Sequence, residues 1–561
     1  MSLHNLIKKP IKLLFVVINN CSIDDFHCGI WKVREKSQSP VSLAYKHTIN
    51  VTMKQTDKSP FKASAASLMK CTNHVQWIAA LAGITLCFLC VCVVSCHQNI
   101  ALQTLFNDIA VLMLKVQLGI YVGWASPNFA CLTLETSSIP ATESDISWMI
   151  SITSIAAAFG SIFGCVVMEY IGSRKTIIFT YLLMAISWTC LLVANTIVWL
   201  FISRMIGGIA YGILTCCFSI YLGEVAAPEI RGALVVLSIV GSPTGTIIGV
   251  IAETYLQIKV SSSIYLLTVL IGVVMFLWLK DTPYYLMKKN DVTAAKKSIQ
   301  FYRGKVDVEK ELNDIEKFVE TSEGISDKLK KLKAPAVRKS LIIVGIAGAL
   351  PNACGSFTIK SYMQKILERA QVSIIQPKVI VIYSYLISVA SVLLAMSLID
   401  RLGRRLLVIL SSVGTAVSLT TLGLHFYLLK LNFDADVLQW LALSSLVCYL
   451  IAYAIGFEII PGTLFSEMFS QNIKSIAVCG VVLMQSIIGF VVTKSYQPMV
   501  DYAGEAYAFW THAFLSALGI PYAIVWLLET KGKKFHEIQD DLHRKSRSRK
   551  SPKVNDTPCK C

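Results

Sequence analysis

Stretches of about twenty mostly apolar residues recur along this chain, and no other feature restricts its fold as much. A helix needs about that length to cross the hydrocarbon layer, and inside lipid it satisfies its own backbone. The stretches fall near 146–168, 176–194, 197–221, 232–252 and 262–279, and again near 340–362, 378–399, 406–429, 438–460, 473–493 and 506–528. One more span is expected before Asp145, which gives two groups of six. Between the groups, residues from Asp281 to Lys339 are charged and carry helical spacing. Composition agrees with lipid as the main solvent. The chain is 54% apolar and only 16% charged, where an ordinary soluble domain is about 25% charged. The expected fold is an all-α polytopic membrane protein with two six-helix bundles.

A net charge of +17 suggests nucleic acid only when the cations share one exposed face. Here they lie in blocks between apolar runs, so no nucleic-acid partner is expected; the partners are the lipid bilayer and a small polar solute. The basic blocks are residues 1–75, Arg174-Lys175, 280–339, Arg401-Arg404-Arg405 and the tail after Lys531. All fall on the cytosolic face if both termini are cytosolic and each half has six spans. The stretch 127–147 carries Glu135, Glu143 and Asp145 and no basic residue, as an outer loop should. Lys360, Lys365, Arg369 and Lys378 break the rule by landing outside. The Asn-x-Thr triplets at Asn50 and Asn555 then lie in the cytosol, and the tail Arg544–Ser551 reads as a contact for anionic lipid. The domain boundaries follow: a cytosolic region 1–75, a bundle 76–279, a cytosolic helical linker 280–339, a second bundle 340–528 and a basic tail 529–561.

The first span is irregular. Gln76–Gly83 begins like a helix entering the membrane, and Gln117–Pro127 reads as the far half of the same helix. Residues 84–116 between them read as an insertion splitting span one. They include four cysteines between Cys87 and Cys96, which lack the paired His or carboxylate pattern of a metal site. No metal, cofactor or catalytic set is expected.

The halves repeat a motif order. Glu169-Tyr-Ile-Gly172-Ser-Arg174-Lys175 links spans two and three, and Asp400-Arg401-Leu-Gly403-Arg404-Arg405 links spans eight and nine. Each half then carries an acid, Glu224 or Glu467, followed seven residues later by a cation, Arg231 or Lys474. Glycine permits a tight turn between two helices, and guanidinium groups bond carboxylates on neighbouring helix ends. The expectation is a set of cytoplasmic ion pairs that hold the two bundles together in one state and release them in another. Parallel six-span repeats are a known transporter architecture.

From about Gln117 to Ile538 the chain resembles the sugar porter family of the major facilitator superfamily, most of all its insect branch of facilitated trehalose transporters. Asp400–Arg405 matches that family's Asp-Arg-x-Gly-Arg-Arg loop. Tyr221–Gly232, Lys280–Lys289, Leu528–Gly532 and Gly123–Pro127 are similar to its motifs after spans four, six and twelve and at the outer end of span one. The resemblance implies a twelve-span major facilitator fold, alternating access without a cofactor, and a plasma-membrane address.

Its departures bear on the solute. Ser173 stands where the first Arg of a pair is expected, and Glu169 replaces Asp. Ile239 takes the place of the family's span-five Gln. In span seven only Asn352 keeps an amide, span ten has Phe457-Glu458 in place of its Trp-bearing motif, and span eleven has Gln485-Ser486 for Asn-Trp. Each lost partner for a buried hydroxyl costs about 1–3 kcal/mol. The substrate-binding candidates are therefore Asn352, Gln485 and Glu458, the last an intramembrane carboxylate that either serves the solute or pairs with a cation such as Lys360. His425 reads as interfacial. The expected function is facilitative transport of trehalose or a hexose. The alternatives are a transport-deficient sensor or scaffold and a carrier of a non-sugar solute that uses Glu458.

Overall fold

Helix is the element throughout the described residues, because a chain this apolar leaves the backbone few other ways to pair its polar groups. The computed structural model describes residues 102–134, 137–226, 231–303, 307–320, 325–469, 471–533 and 537. Outside them lie residues 1–75, Gln76–Gly83, the Cys87–Cys96 run, both Asn-x-Thr triplets, Glu135 and the tail Arg544–Ser551, and the side chains of Arg231, Ile239 and Asp400.

Eleven segments among the described residues are long and apolar enough to cross a membrane. The helix Arg231–Tyr255 makes a twelfth, since its 25 residues carry charges only at Arg231 and Glu253. The first half thus runs Phe106–Leu132, Glu143–Ile171, Ser173–Leu192, Ile197–Val225, Arg231–Tyr255 and Ile258–Trp278. The second runs Val337–Arg369, Pro377–Ile399, Arg404–Lys430, Ala435–Phe465, Ile473–Ala503 and Glu505–Val525. The seventh helix itself begins at Pro335, inside the stretch assigned to the linker, because proline suits the first helical turn and Arg338 and Lys339 fall before the apolar run.

Span one corrects the sequence reading. The helix Leu102–Gly123 is continuous, so residues 106–116 are part of the span and not of an insertion within it. Packing is the reason. A β-carbon on Gly241, Gly245 or Gly249 of span five would strike Lys115, the carbonyl of Val116 or that of Ile120 in turn. Three glycines one turn apart thus seat successive turns of span one at close range, as small residues do between helices in lipid. The polar residues Gln103, Asn107, Asp108 and Lys115 disguise this run in the sequence.

Four spans are divided along their length among the described residues: twelve at Leu518, between Glu505–Ala517 and Gly519–Val525, and three others. Span one bends at Trp124, between Leu102–Gly123 and Ala125–Leu132. Span seven divides into Pro335–Ala353 and Ser356–Arg369 around Gly355, whose φ of +74° favours glycine. Span ten divides into Ala435–Ile455 and Ile460–Met468. Breaks of this kind free backbone groups and turn side chains toward a solute path.

The linker is helical where described: Pro283–Lys288, Val292–Arg303, Val308–Glu320 and Ile325–Leu332. Met287, Ala295, Ile299, Leu312 and Ile315 give it a small core of its own. Lys288 and Tyr302 tie it to the first half through Glu169 and the carbonyl of Lys280.

Candidate functional site

Two helix-linking turns carry the repeated motif of the sequence. Gly172 and Gly403 both adopt positive φ, +84° and +83°. A β-carbon at Gly403 would meet the Glu529 carboxylate, and one at Gly172 the Tyr285 ring. The space beside Gly403 lets Glu529 accept the backbone N–H groups of Arg404, Arg405 and Lys531 at 3.0, 3.1 and 3.1 Å. Burial alone would raise the Glu529 carboxyl, but these N–H groups and the Arg404 charge outweigh it and hold it below its usual range.

The charged side chains around these turns join elements within a half. Arg404 bonds Glu467 at 2.8 Å, and Thr530 donates to the other Glu467 oxygen at 2.6 Å. Arg405 donates to the carbonyl of Ile524. Arg401 is exposed at the turn, and its carbonyl accepts Lys531 Nζ at 2.7 Å. In the first half Arg174 bonds Asp281 at 3.1 Å and the carbonyls of Phe276 and Leu277, so its carboxylate is Asp281. Glu169 takes Lys288 at 2.5 Å. Ser173, standing in the place of an expected Arg, donates to Glu224 at 2.6 Å and keeps that acid tied to span three. Arg231 opens span five and Lys474 lies half-buried in the first turn of span eleven. The bonds Arg404–Glu467, Arg174–Asp281 and Ser173–Glu224 join helices or loops of one half, and Lys288–Glu169 joins the linker to the first half.

The bundles meet through different groups at the two ends. Toward the Gly172 and Gly403 turns, the end that the charge pattern expects to be the inner one, Cys216, Val478 and Val482 pack together with Phe465 and Cys479. Cys479 Sγ lies 3.3 Å from the carbonyl of Ser161. At the opposite, outer end, Lys365 Nζ of span seven lies 2.6 Å from Glu143 at the head of span two. Arg369 reaches Glu143 at 3.4 Å and Glu505 at 3.7 Å, and the Gln364 N–H donates to Ser126 Oγ at 3.1 Å. Two of the four cations that broke the charge rule, Lys365 and Arg369, are therefore fixed by Glu143, which faces them from the other half.

Between these ends lies the polar centre. In the second half Asn352 Nδ2 donates to the carbonyl of Gln485 at 3.2 Å, and its Oδ1 faces Gly489 near Ser154 of span two. The Gln485 amide lies directly over Gly348, where any side chain would collide with it. Glu458, in the break of span ten, stands 3.6 Å from Lys360 Nζ, and that ammonium also lies over the Tyr453 ring at 4.6 Å. Tyr449 and Tyr453 stack at 6.1 Å, and Tyr449 also touches Cys354. The three sequence candidates thus lie on spans seven, ten and eleven of one half, with Glu458 paired to the cation named as its alternative partner. His425 is buried at the level of the span ends, its ring nitrogens 3.0 and 3.2 Å from the carbonyls of Leu438, at the head of span ten, and Ala370, just past span seven.

Sequence reasoning missed the first-half face of this centre. Arg204, 2% exposed, lies over the rings of Trp124 and Tyr121 at 3.9 and 4.4 Å and donates to the carbonyl of Tyr121 at 3.2 Å. Asn128 donates to the buried Glu253 at 2.8 Å. The available signal was a single charge within the apolar run 197–221 and another immediately after the run 232–252. Tyr121, Ala125, Phe129, Ile150, Thr153 and Arg204 meet Phe357 and Ser361 of the second half around a cavity of about 10 Å³, room for about one water. The halves thus touch at both ends and around this small space between spans one, two, four and seven.

Twelve spans in two halves that meet around a polar centre define a polytopic membrane carrier of the major facilitator class. Residues 119–542 match the family model described as "Sugar (and other) transporter". The facilitated trehalose transporter Tret1 of Bombyx mori is 30% identical over 467 residues, 81% of this chain and 90% of that protein. Tret1 of Apis mellifera ligustica is 28% identical over 440 residues, 78% and 87%. Among solved structures, the proton:xylose symporter XylE bound to 6-bromo-6-deoxy-D-glucose aligns with a TM-score of 0.63 at 17% identity, covering 78% of this chain and 99% of that one. XylE from E. coli in an inward-open conformation gives 0.63 at 18% identity, covering 77% and 98%. The chain belongs to the sugar transporter family.

Proposed function

We propose that this protein carries a sugar, trehalose or a hexose, across the plasma membrane by facilitated diffusion, with both termini in the cytosol. It works as a carrier and not as a catalyst. Its solute binds at the centre, and the two bundles rock to expose that centre to one side and then the other. The observation that carries this reading is the pairing of Glu458 with Lys360 beside Asn352, Gln485, Tyr449 and Tyr453. A balanced charge pair among amides and aromatic faces suits a neutral polyhydroxylated solute better than a cation. The names of the trehalose-transporting relatives support the same solute class. The tyrosines supply ring faces that a missing span-ten indole would otherwise give, and Arg204, Asn128 and Ser154 add polar groups from the opposite half.

Uptake of labelled trehalose and glucose in oocytes, with surface expression checked, tests this directly. Saturable uptake that falls at least tenfold in an Asn352→Ala, Gln485→Ala variant is the expected result. Surface-expressed protein with no uptake of either sugar would overturn the sugar reading and favour the sensor, or a non-sugar solute engaging Glu458.

A further inference from the structure

A cavity of about 410 Å³ opens at the outer end of the second half, apart from the centre between the halves. It lies among the ends of spans seven, nine and eleven and the start of span twelve. Arg369, Lys430, Asp501 and Glu505 line it together with Tyr502 and Tyr507. Its size falls within the range of small-molecule sites, about 300–1,000 Å³. Two cations face two carboxylates, so the lining is electrically balanced and disfavours a ligand of either net charge. Gln497 donates to Asp501 at 2.7 Å and orients that carboxylate, while Arg369 and Glu505 stand 3.7 Å apart, too far for a full bond. Tyr502 projects at the lip with 96% of its surface exposed, a large amphipathic ring that packing does not use.

We infer that this cavity is a second, outward-facing sugar site, distinct from the transport site between the halves. Paired carboxylates and a guanidinium offer acceptors and donors in the planar, forked geometry that neighbouring hydroxyls match, and tyrosine rings offer the flat apolar faces of a pyranose a surface. The solute is a neutral mono- or disaccharide. Arg369 also holds Glu143 of the opposite half, so an occupant of this cavity sits against the outer latch.

The inference rests on the proposed sugar transport only for its choice of probe. Equilibrium binding of labelled trehalose to the purified full chain in phosphatidylcholine nanodiscs tests it. Two molecules per chain are expected. Tyr502→Ala and Asp501→Asn each weaken one of the two sites at least tenfold, and Tyr502→Ala leaves the packed helices untouched. Asn352→Ala with Gln485→Ala removes the other site and spares the outer one. A single site that is sensitive to Tyr502→Ala and indifferent to Asn352→Ala with Gln485→Ala would support the outer site while undoing the transport reading. Binding unchanged by both Tyr502→Ala and Asp501→Asn would overturn the inference. So would a phosphatidylcholine molecule that copurifies with the chain and is lost in Asp501→Asn, with no sugar held there.

Discussion

The two ends of the cleft between the bundles are closed by opposite kinds of chemistry. The outer mouth is held by charge, with Glu143 set between Lys365 and Arg369 of the other half. The inner mouth is held by small apolar and sulfur-bearing side chains, Cys216, Val478, Val482 and Cys479. At the inner face, Arg404 with Glu467 and Arg174 with Asp281 brace individual bundles. The contrast separates two tasks that sequence motifs alone merge: keeping a bundle rigid and deciding when two bundles part. Rigid bundles matter because rocking transmits the opening of one mouth to the closing of the other only if neither bundle deforms.

The largest effect should come from placing a charge in the apolar seam. Cys479→Asp buries an unpaired carboxylate in the closed state, at a cost of about 3–5 kcal/mol. The inner mouth should stay open, with uptake reduced more than tenfold and inner-face cysteine labelling increased. Normal uptake would show that the seam does not form during the cycle.

Arg404→Ala should be next, at about 2–3 kcal/mol for a partly buried charge left without its partner. Its signature is a lower thermal unfolding temperature in detergent, with little change in which mouth is open. A large shift in mouth accessibility at unchanged stability would mean that Arg404 acts between bundles after all.

Glu143→Gln removes the outer latch, worth about 1–2 kcal/mol, which is about 5- to 30-fold in the ratio of outward-open to closed molecules. Labelling of a cysteine placed at Ser361, on the central cavity, should rise from the outside by that factor. Raising salt from about 0.05 to 0.5 M should reproduce a small part of the change in the parent chain and none of it in Glu143→Gln, because screening acts on the exposed outer charges.

The smallest effect concerns Glu529, whose folded-state pKa is held below the ordinary 4.5 of a Glu. Its stabilising contribution is present above about 4.5 and is lost as pH falls through the lower folded value. Glu529→Gln should therefore lower stability near neutral pH and flatten the decline below about pH 4.5 in a thermal unfolding series. An unchanged acid limb would show that the Arg404 and Arg405 N–H groups do not depend on the carboxylate.

Much of the fold was legible because spanning length, glycine turns and charged loops are local signals. Eleven spans and the turns at Gly172 and Gly403 can be read from single segments. Span one was not, because Asn107, Asp108 and Lys115 interrupt its hydropathy and its packing lies in distant glycines of span five. Arg174 was legible as a bonded cation, but its partner Asp281 lies beyond span six, and only the folded chain brings them together. Lys365 and Arg369 looked like violations until Glu143 faced them. Asn352, Gln485 and Glu458 could be picked out as polar groups in apolar runs; Arg204 and Glu253 carry the same signal and went unweighed. What no local pattern gives is which half a charge answers to.

The central claim is that the solute passes only as the two mouths open in turn, so locking either mouth must stop it. A bifunctional thiol reagent bridging cysteines placed at Glu143 and Lys365 closes the outer mouth, and oxidation of Ser161→Cys with Cys479 closes the inner one. Trehalose uptake should fall to background in each cross-linked form and return after cleavage of the link with reductant. Undiminished uptake with either mouth fully cross-linked would contradict the account.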